Sequence, residues 1–206
     1  MPDQTTPTQA SPEAPTRAEA PLTRTVDGTE LPAPGTYAVD PAHTAVEFVV
    51  RHLGFAKLRG RFRDFHGTVE IADRPEDSTV AVDVDLASID TGEPNRDERL
   101  RSSDFFDVPS HPTMSFRSTR VTGTGTDRTV EGDLTLRGVS HPATLAVTFD
   151  GAGADPFGRQ RIAFSATGEI DRDRWGVSWN QPLDAGGFVI GKRVELQLLV
   201  QAVRDA

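Results

Sequence analysis

The chain has 206 residues, a net charge of −9, a sequence pI near 5.0 and no cysteine. That length suits one large domain with a sizeable core. The acidic balance argues against nucleic acid, which requires a basic face to neutralise phosphates, and the missing thiols exclude disulfides, iron–sulfur clusters, thiolate zinc sites and cysteine catalysis.

Residues 1–34 hold seven of the fifteen prolines and no aromatic residue. Such a segment buries too little apolar surface to offset its ordering entropy, so the composition predicts a disordered Pro/Ala/Thr-rich tail over 1–34 and a folded domain over 35–206. The N-terminal stretch lacks a basic n-region and an apolar run. No stretch approaches the roughly 18–20 apolar residues that span a bilayer. The expectation is a soluble, cytoplasmic chain.

From Tyr37 onward, apolar and polar residues alternate in short runs. Val46, Phe48 and Val50 share one face, with Glu47 and Arg51 on the other. Val80, Val82, Val84 and Leu86 alternate with Ala81, Asp83 and Asp85. Leu134 and Leu136 follow the same rule, then Leu145, Val147 and Phe149, then Ile162 and Phe164. Val194, Leu196, Leu198 and Val200 line one face of the last strand. Turn signals separate these runs, among them Gly60, Gly67, Gly123-Thr124-Gly125, Gly138 and Gly186-Gly187. The spacing predicts antiparallel strands joined by hairpins. One short helical piece is expected within Glu93–Phe106. About eight such strands close a barrel, which removes exposed sheet edges. Pattern alone leaves open whether that barrel is filled or hollow.

Five ordered blocks resemble the YceI-like family, whose members include polyisoprenoid carriers. The blocks are TYAVDPAHTAVEFVVRHLG, GRFRDFHGTVEI, VDLASIDTGEPNRDERLRSSDFFDVPSHPTMSFRST, GDLTLRGVSHPATLAV and IDRDRWGV. The resemblance implies an all-β fold, an eight-stranded antiparallel lipocalin-like β-barrel with a short helical segment between strands. It also implies a deep apolar pocket for prenyl chains or similar amphiphiles, without cofactor or established catalytic residues. Many relatives carry a secretory signal, which is not seen here, so the ligand of this chain can differ from theirs.

The candidate pocket residues are the inward apolar positions. Val46, Phe48, Val50 and Phe62 come from the first strands, and Val82, Val84 and Leu86 from the next. Phe105 and Phe106 follow the helical piece, then Met114, Phe116, Leu134 and Leu136. Val147, Phe149, Phe164, Trp175, Leu196 and Leu198 complete the set. Taken singly, each reads first as plain core.

Three polar candidates stand near the ends. His52 continues the face of Val46, Phe48 and Val50, where its ring meets either a head group or a backbone carbonyl. Arg96, beside Asp97, reads as a diphosphate ligand at one mouth or as part of an Arg–carboxylate network pinning the helix. Arg172 admits the same two readings. Asp40 and His43 organise the turn into the first strand.

His43, His52 and His66 lack the tight spacing of transition-metal sites, and His111 and His141 each precede proline. No metal site is expected. No Gly-x-Ser-x-Gly elbow is present, and Gly123-Thr-Gly-Thr lacks the third glycine and the following helix of a dinucleotide site. The leading expectation is a carrier of a hydrophobic small molecule, an isoprenoid or fatty-acyl lipid, with no catalytic residue. An enzyme acting on a small hydrophobic substrate is the second reading. A filled stress-protective barrel, dimerising through a sheet face, is the third. Transient membrane contact during loading is left open.

Overall fold

The computed structural model describes residues 21–184 and 186–205. In chain order the strands are β1 (Thr23–Val26), β2 (Thr29–Pro32), β3 (Gly35–Val39), β4 (Ala45–His52), β5 (Ala56–Phe62), β6 (Phe65–Ile71), β7 (Thr79–Asp85) and β8 (Ile89–Asp90). Helix α1 (Pro94–Arg101) follows, then β9 (Thr113–Thr124), β10 (Asp127–Leu136), β11 (Val139–Ala154), β12 (Gln160–Asp171) and β13 (Ile190–Arg204).

Three barrel strands are each broken in two. β3 and β4 both pair antiparallel with β13, β5 and β6 are separated by only Arg63 and Asp64, and β7 continues into β8 through a single 3-10 turn at Leu86–Ser88. Counted this way, eight strands run up and down, and the pairing of β12 with β13 closes the sheet into a barrel. Closure explains the alternation. Outward positions such as Glu47, Lys57, Arg59 and Glu195 carry charges that pair across neighbouring strands. Inward positions are apolar, the reverse of the alternation in a membrane-spanning barrel. Register shifts at Glu131/Gly132 and Phe149/Gly151 mark bulges that help the long strands bend.

The strand order gives the barrel two unlike ends. At one end α1, the 3-10 turn Arg172–Trp175 and the segment before β13 are packed over the interior. Trp175, Leu86 and Ile89 are almost fully buried there, and the Trp175 indole N–H donates to the Leu134 carbonyl at 2.9 Å. The helix lies within the expected Glu93–Phe106 and ends where Ser102 turns the chain out of it.

At the other end lie the β6–β7 connection, the β9–β10 and β11–β12 turns, and an element absent from the sequence reading. Residues 23–32 form a hairpin, so the expected disorder over 1–34 fails for this part; residues 1–20 lie outside the described residues. Its turn is Asp27-Gly28, both with positive φ (48° and 79°), as a two-residue hairpin with the right twist demands. Leu31 and Ala33 are buried at 5% and 2% exposure. The Tyr37 hydroxyl donates to the Ala33 carbonyl at 2.8 Å, and burial raises that phenol's pKa.

An ion cluster ties the same end together. Arg161 donates to Asp40 at 2.6 Å and to Asp155 at 3.0 Å, joining the β3–β4 connection to the β11–β12 turn. The Arg161 bond, helped by His43 and the Ala42 N–H, lowers the Asp40 pKa from 3.8 to about 2. For Asp155 desolvation acts upward, but backbone N–H groups of Arg159 and Phe157 and two guanidinium groups outweigh it and hold the carboxyl well below its ordinary value. A depressed carboxyl stabilises the fold above its unfolded pKa, and that contribution is lost as pH falls through the folded value. Urea midpoints should therefore drop between about pH 4 and pH 2 in the native chain, and drop less steeply in Asp40→Asn. Equal slopes in the two proteins would remove Asp40 from the acid transition.

Candidate ligand-binding pocket

The barrel interior is open toward the hairpin-covered end. A cavity of about 260 Å³ runs inward from the hairpin-covered end. Of the predicted apolar residues, Val46, Phe48 and Phe62 line it from the first strands, and Val82, Val84, Met114 and Phe116 from the middle of the sheet. Leu134, Val147, Phe149, Phe164, Leu196 and Leu198 complete the predicted part of the wall. Two rings pack against glycines on the inner face. A Cβ at Gly60 would overlap the Phe48 ring, and one at Gly132 would sit 2.5 Å from the Phe116 ring. These rings can lean against the sheet only because the residue beneath has no side chain. A third small position, Gly168, receives Leu145 in the same way, where a Cβ would meet its Cδ2 at 2.8 Å.

Among the described residues, the polar ones touching the cavity are at the mouth, at Thr44 just before β4 and at Glu47 on β4. Arg24, Ser78, Thr79, Thr126 and Arg128 stand at the mouth. Thr44 donates its hydroxyl to the Gln201 carbonyl at 3.1 Å, and Glu47 directs its carboxylate outward, 3.7 Å from Arg59. The deep lining is aliphatic and aromatic.

Nine predicted residues lie outside this wall. Leu86, Phe105, Phe106, Leu136 and Trp175 belong to the packed end, where Phe106 packs in a tilted contact against Phe62 at a centroid distance of 6.0 Å. They are core. Val50 and His52 lie on the half of β4 nearest that end, with His52 partnered in register by Ala56 and Ile190. Arg96 sits at the end opposite the mouth, donating to Thr91 Oγ1 at 2.7 Å and to the Thr91 carbonyl at 2.9 Å. Asp97 accepts from the Thr91 N–H at 2.9 Å, so the helix is pinned through Thr91 and not by a direct Arg–carboxylate pair.

Arg172 is 5% exposed and equally far from the mouth. It donates to the carbonyls of Gly191, Val177 and Trp179. Burial pushes its guanidinium below the usual arginine range, against the opposing charges of Asp173 and Asp171. Its donors are used to tie loops together, which fits neither a phosphate ligand nor an Arg–carboxylate network.

Several lining residues escaped the sequence reading. Leu145, Val80 and Val200 lie on faces already recognised as inward, and extending the alternation finds them. Phe65 and Val69 follow the break after Phe62, which interrupts the period. Arg24, Leu31 and Pro32 fell within the expected tail, although Asp27-Gly28 was a hairpin signal.

Residues 37–202 match the YceI-like domain. The chain belongs to the YceI-like family. A UPF0312 protein of Ectopseudomonas mendocina is 43% identical over 173 residues, covering 82% of this chain and 87% of the relative. A UPF0312 protein of Pseudomonas aeruginosa is 36% identical over 164 residues, covering 79% and 83%. Among solved structures, Burkholderia cenocepacia BcnA superposes with a TM-score of 0.69 at 22% identity, covering 79% of this chain and 98% of that one. A polyisoprenoid binding domain from Saccharophagus degradans, implicated in plant cell wall breakdown, gives 0.60 at 17% identity, covering 82% and 98%. These structural likenesses establish the barrel. The family match begins at residue 37, so the β1–β2 hairpin lies outside it.

Replacing Arg172 tests its separation from the pocket. Arg172→Met leaves the buried Val177 carbonyl and the half-buried Gly191 and Trp179 carbonyls without their donor and should lower the unfolding free energy by about 2–4 kcal/mol. Affinity for an apolar probe in the folded fraction should be unchanged. Lost affinity at unaltered stability would instead put the guanidinium at the ligand.

Proposed function

We propose that this YceI-like chain binds and carries, or sequesters, an apolar chain-like ligand of the isoprenoid lipid class within its barrel. The observation that carries this reading is the open interior, whose described lining is mostly apolar and whose polar residues, Thr44 and Glu47 apart, gather at its mouth. Burial of each methylene there contributes about 0.8 kcal/mol, part of which is offset by ordering the tail. Orientation follows from the same gradient: the tail lies inside and a polar head stays near Ser78, Thr79, Thr126 and Arg128. The described polyisoprenoid binding by the Saccharophagus degradans domain supports the ligand class.

The enzyme reading requires an acid, base or nucleophile against the ligand. The deep lining supplies aliphatic and aromatic groups, which favours holding a ligand over transforming it. The filled-barrel reading conflicts with the cavity itself.

Organic extraction of the purified protein followed by mass spectrometry should release a prenyl or fatty-acyl species near equimolar amounts. Ala166 lines the pocket and is 6% exposed. Ala166→Trp should fill the cavity and abolish uptake of added farnesol while the far-ultraviolet circular dichroism stays that of a β-barrel. A native protein that extracts empty and stays empty after incubation with farnesol would refute the proposal.

A further inference from the structure

The β1–β2 hairpin is a separate two-stranded sheet laid over the mouth. Among the described residues it shares no backbone–backbone hydrogen bond with the barrel. Leu31 and Pro32 line the cavity at its mouth and cover part of it, and β2 packs against β11. Its base is clamped by Arg204, which donates to the Pro34 carbonyl at 2.7 Å and to the Pro21 carbonyl at 3.3 Å. The Leu22 carbonyl and Ala33 N–H join the two legs at 3.0 Å. Away from the base the attachment is thin. Arg24 donates to the Ala72 and Asp73 carbonyls, both at 2.5 Å, and Thr29 near the tip lies beside Gly125 of the β9–β10 turn. The Arg24 Nε is buried without an acceptor, so closing this latch strands a charged group's donor.

With the hairpin in place, the cavity of about 260 Å³ is small for the ligand class. Pockets for small molecules usually run from about 300 to 1,000 Å³. A cavity of about 150 Å³ accepts a benzene ring, so the closed pocket scales to an apolar body of roughly ten carbons. Longer isoprenoids need more room, and only the mouth can yield it, since widening the wall breaks sheet ladders.

We propose that the β1–β2 hairpin is a displaceable lid that sets ligand length: closed, it admits a compact apolar body, and a longer chain is held only with the lid lifted from the mouth about its Arg204-clamped base. This rests on the carrier reading above. Leu31 and Pro32 are then the specificity-determining residues, and Arg24 is the latch.

The native chain has no cysteine, so Thr29→Cys combined with Gly125→Cys allows a single disulfide between lid and rim. Thr29 Oγ1 is 3.9 Å from where a Cβ on Gly125 would stand. In the reduced protein, geraniol and geranylgeraniol should both enter, followed by native mass spectrometry. Oxidation before loading should slow geranylgeraniol uptake at least tenfold, and reduction should restore it. Oxidation after loading should form the disulfide around geraniol, whereas bound geranylgeraniol should prevent it. Because Gly125 has a left-handed φ of 61°, Arg24→Ala serves as an independent variant without that strain. It should speed geranylgeraniol uptake severalfold. Equal uptake by oxidised and reduced protein, a disulfide that closes over geranylgeraniol, or an unchanged rate in Arg24→Ala would each overturn the lid. Failure of the native chain to take up either alcohol would instead overturn the carrier reading, and the lid with it.

Discussion

A sheet that closes on itself has a single interior, and every apolar side chain on its inner face must share that space. The pairing of β12 with β13, and of β13 with both β3 and β4, imposes this condition here. Once the ring is shut, a one-residue slip in any strand would turn its charges inward and its apolar set outward. The register is therefore held by the whole circle. Cross-strand pairs such as Arg117 with Asp83 and Lys57 with Glu195 decorate the outside but contribute little individually, since both partners remain accessible to water.

Within that ring, volume is distributed unevenly. At the packed end, Trp175, Leu86, Ile89 and Phe105 fill the tube, and buried Arg172 ties the loop carbonyls of Val177 and Trp179 to the start of β13 at Gly191. Toward the mouth, rings are laid aside over Gly60 and Gly132 and the middle is left open. A hollow apolar interior forfeits the dispersion contacts that a filled one would make. The packed end and the Asp40–Arg161–Asp155 cluster offset part of that loss at the two rims. Catalytic sites are built around polar groups aimed at a reacting atom. In this barrel the buried polar groups face loop backbone instead, and the cavity is shaped by glycines and aromatic rings.

The barrel was legible because alternation is a strong signal when one face is wholly buried. Val46 and Phe48, Val82 and Val84, and Leu196 and Leu198 all turned out to line the cavity. Alternation cannot say how deep along the tube a residue sits. Leu86, Leu136 and Val50 carry the correct face yet lie beyond the cavity, because depth depends on strand stagger and on which loops fold over each end. Arg96 and Arg172 were misplaced for the same reason: a motif gives residue identity without revealing which end of the barrel its loop closes. The hairpin was lost to composition. Proline-rich flanks outweighed Asp27-Gly28, although two residues with positive φ between Val26 and Thr29 are enough to reverse a chain.

The two ends also differ in the kind of bond that holds them, and this decides where exchange with solvent can take place. At the packed end, α1 lies between β8 and β9 and is covered by buried aromatic contacts, such as Phe105 on Trp179 at 5.4 Å with Arg99 over the same indole at 3.8 Å. Loosening it would expose several large side chains at once. At the mouth, a short hairpin rests on a few side-chain donors and the edges of Leu31 and Pro32. Local opening follows the smallest buried area and the fewest internal bonds. The wall is excluded because opening it breaks many strand-to-strand hydrogen bonds at once, and the packed end because its core is shared with the strands. The mouth is left, and it is also where the polar lining gathers. Entry of an apolar tail and retention of its polar head are consequently served by the same rim.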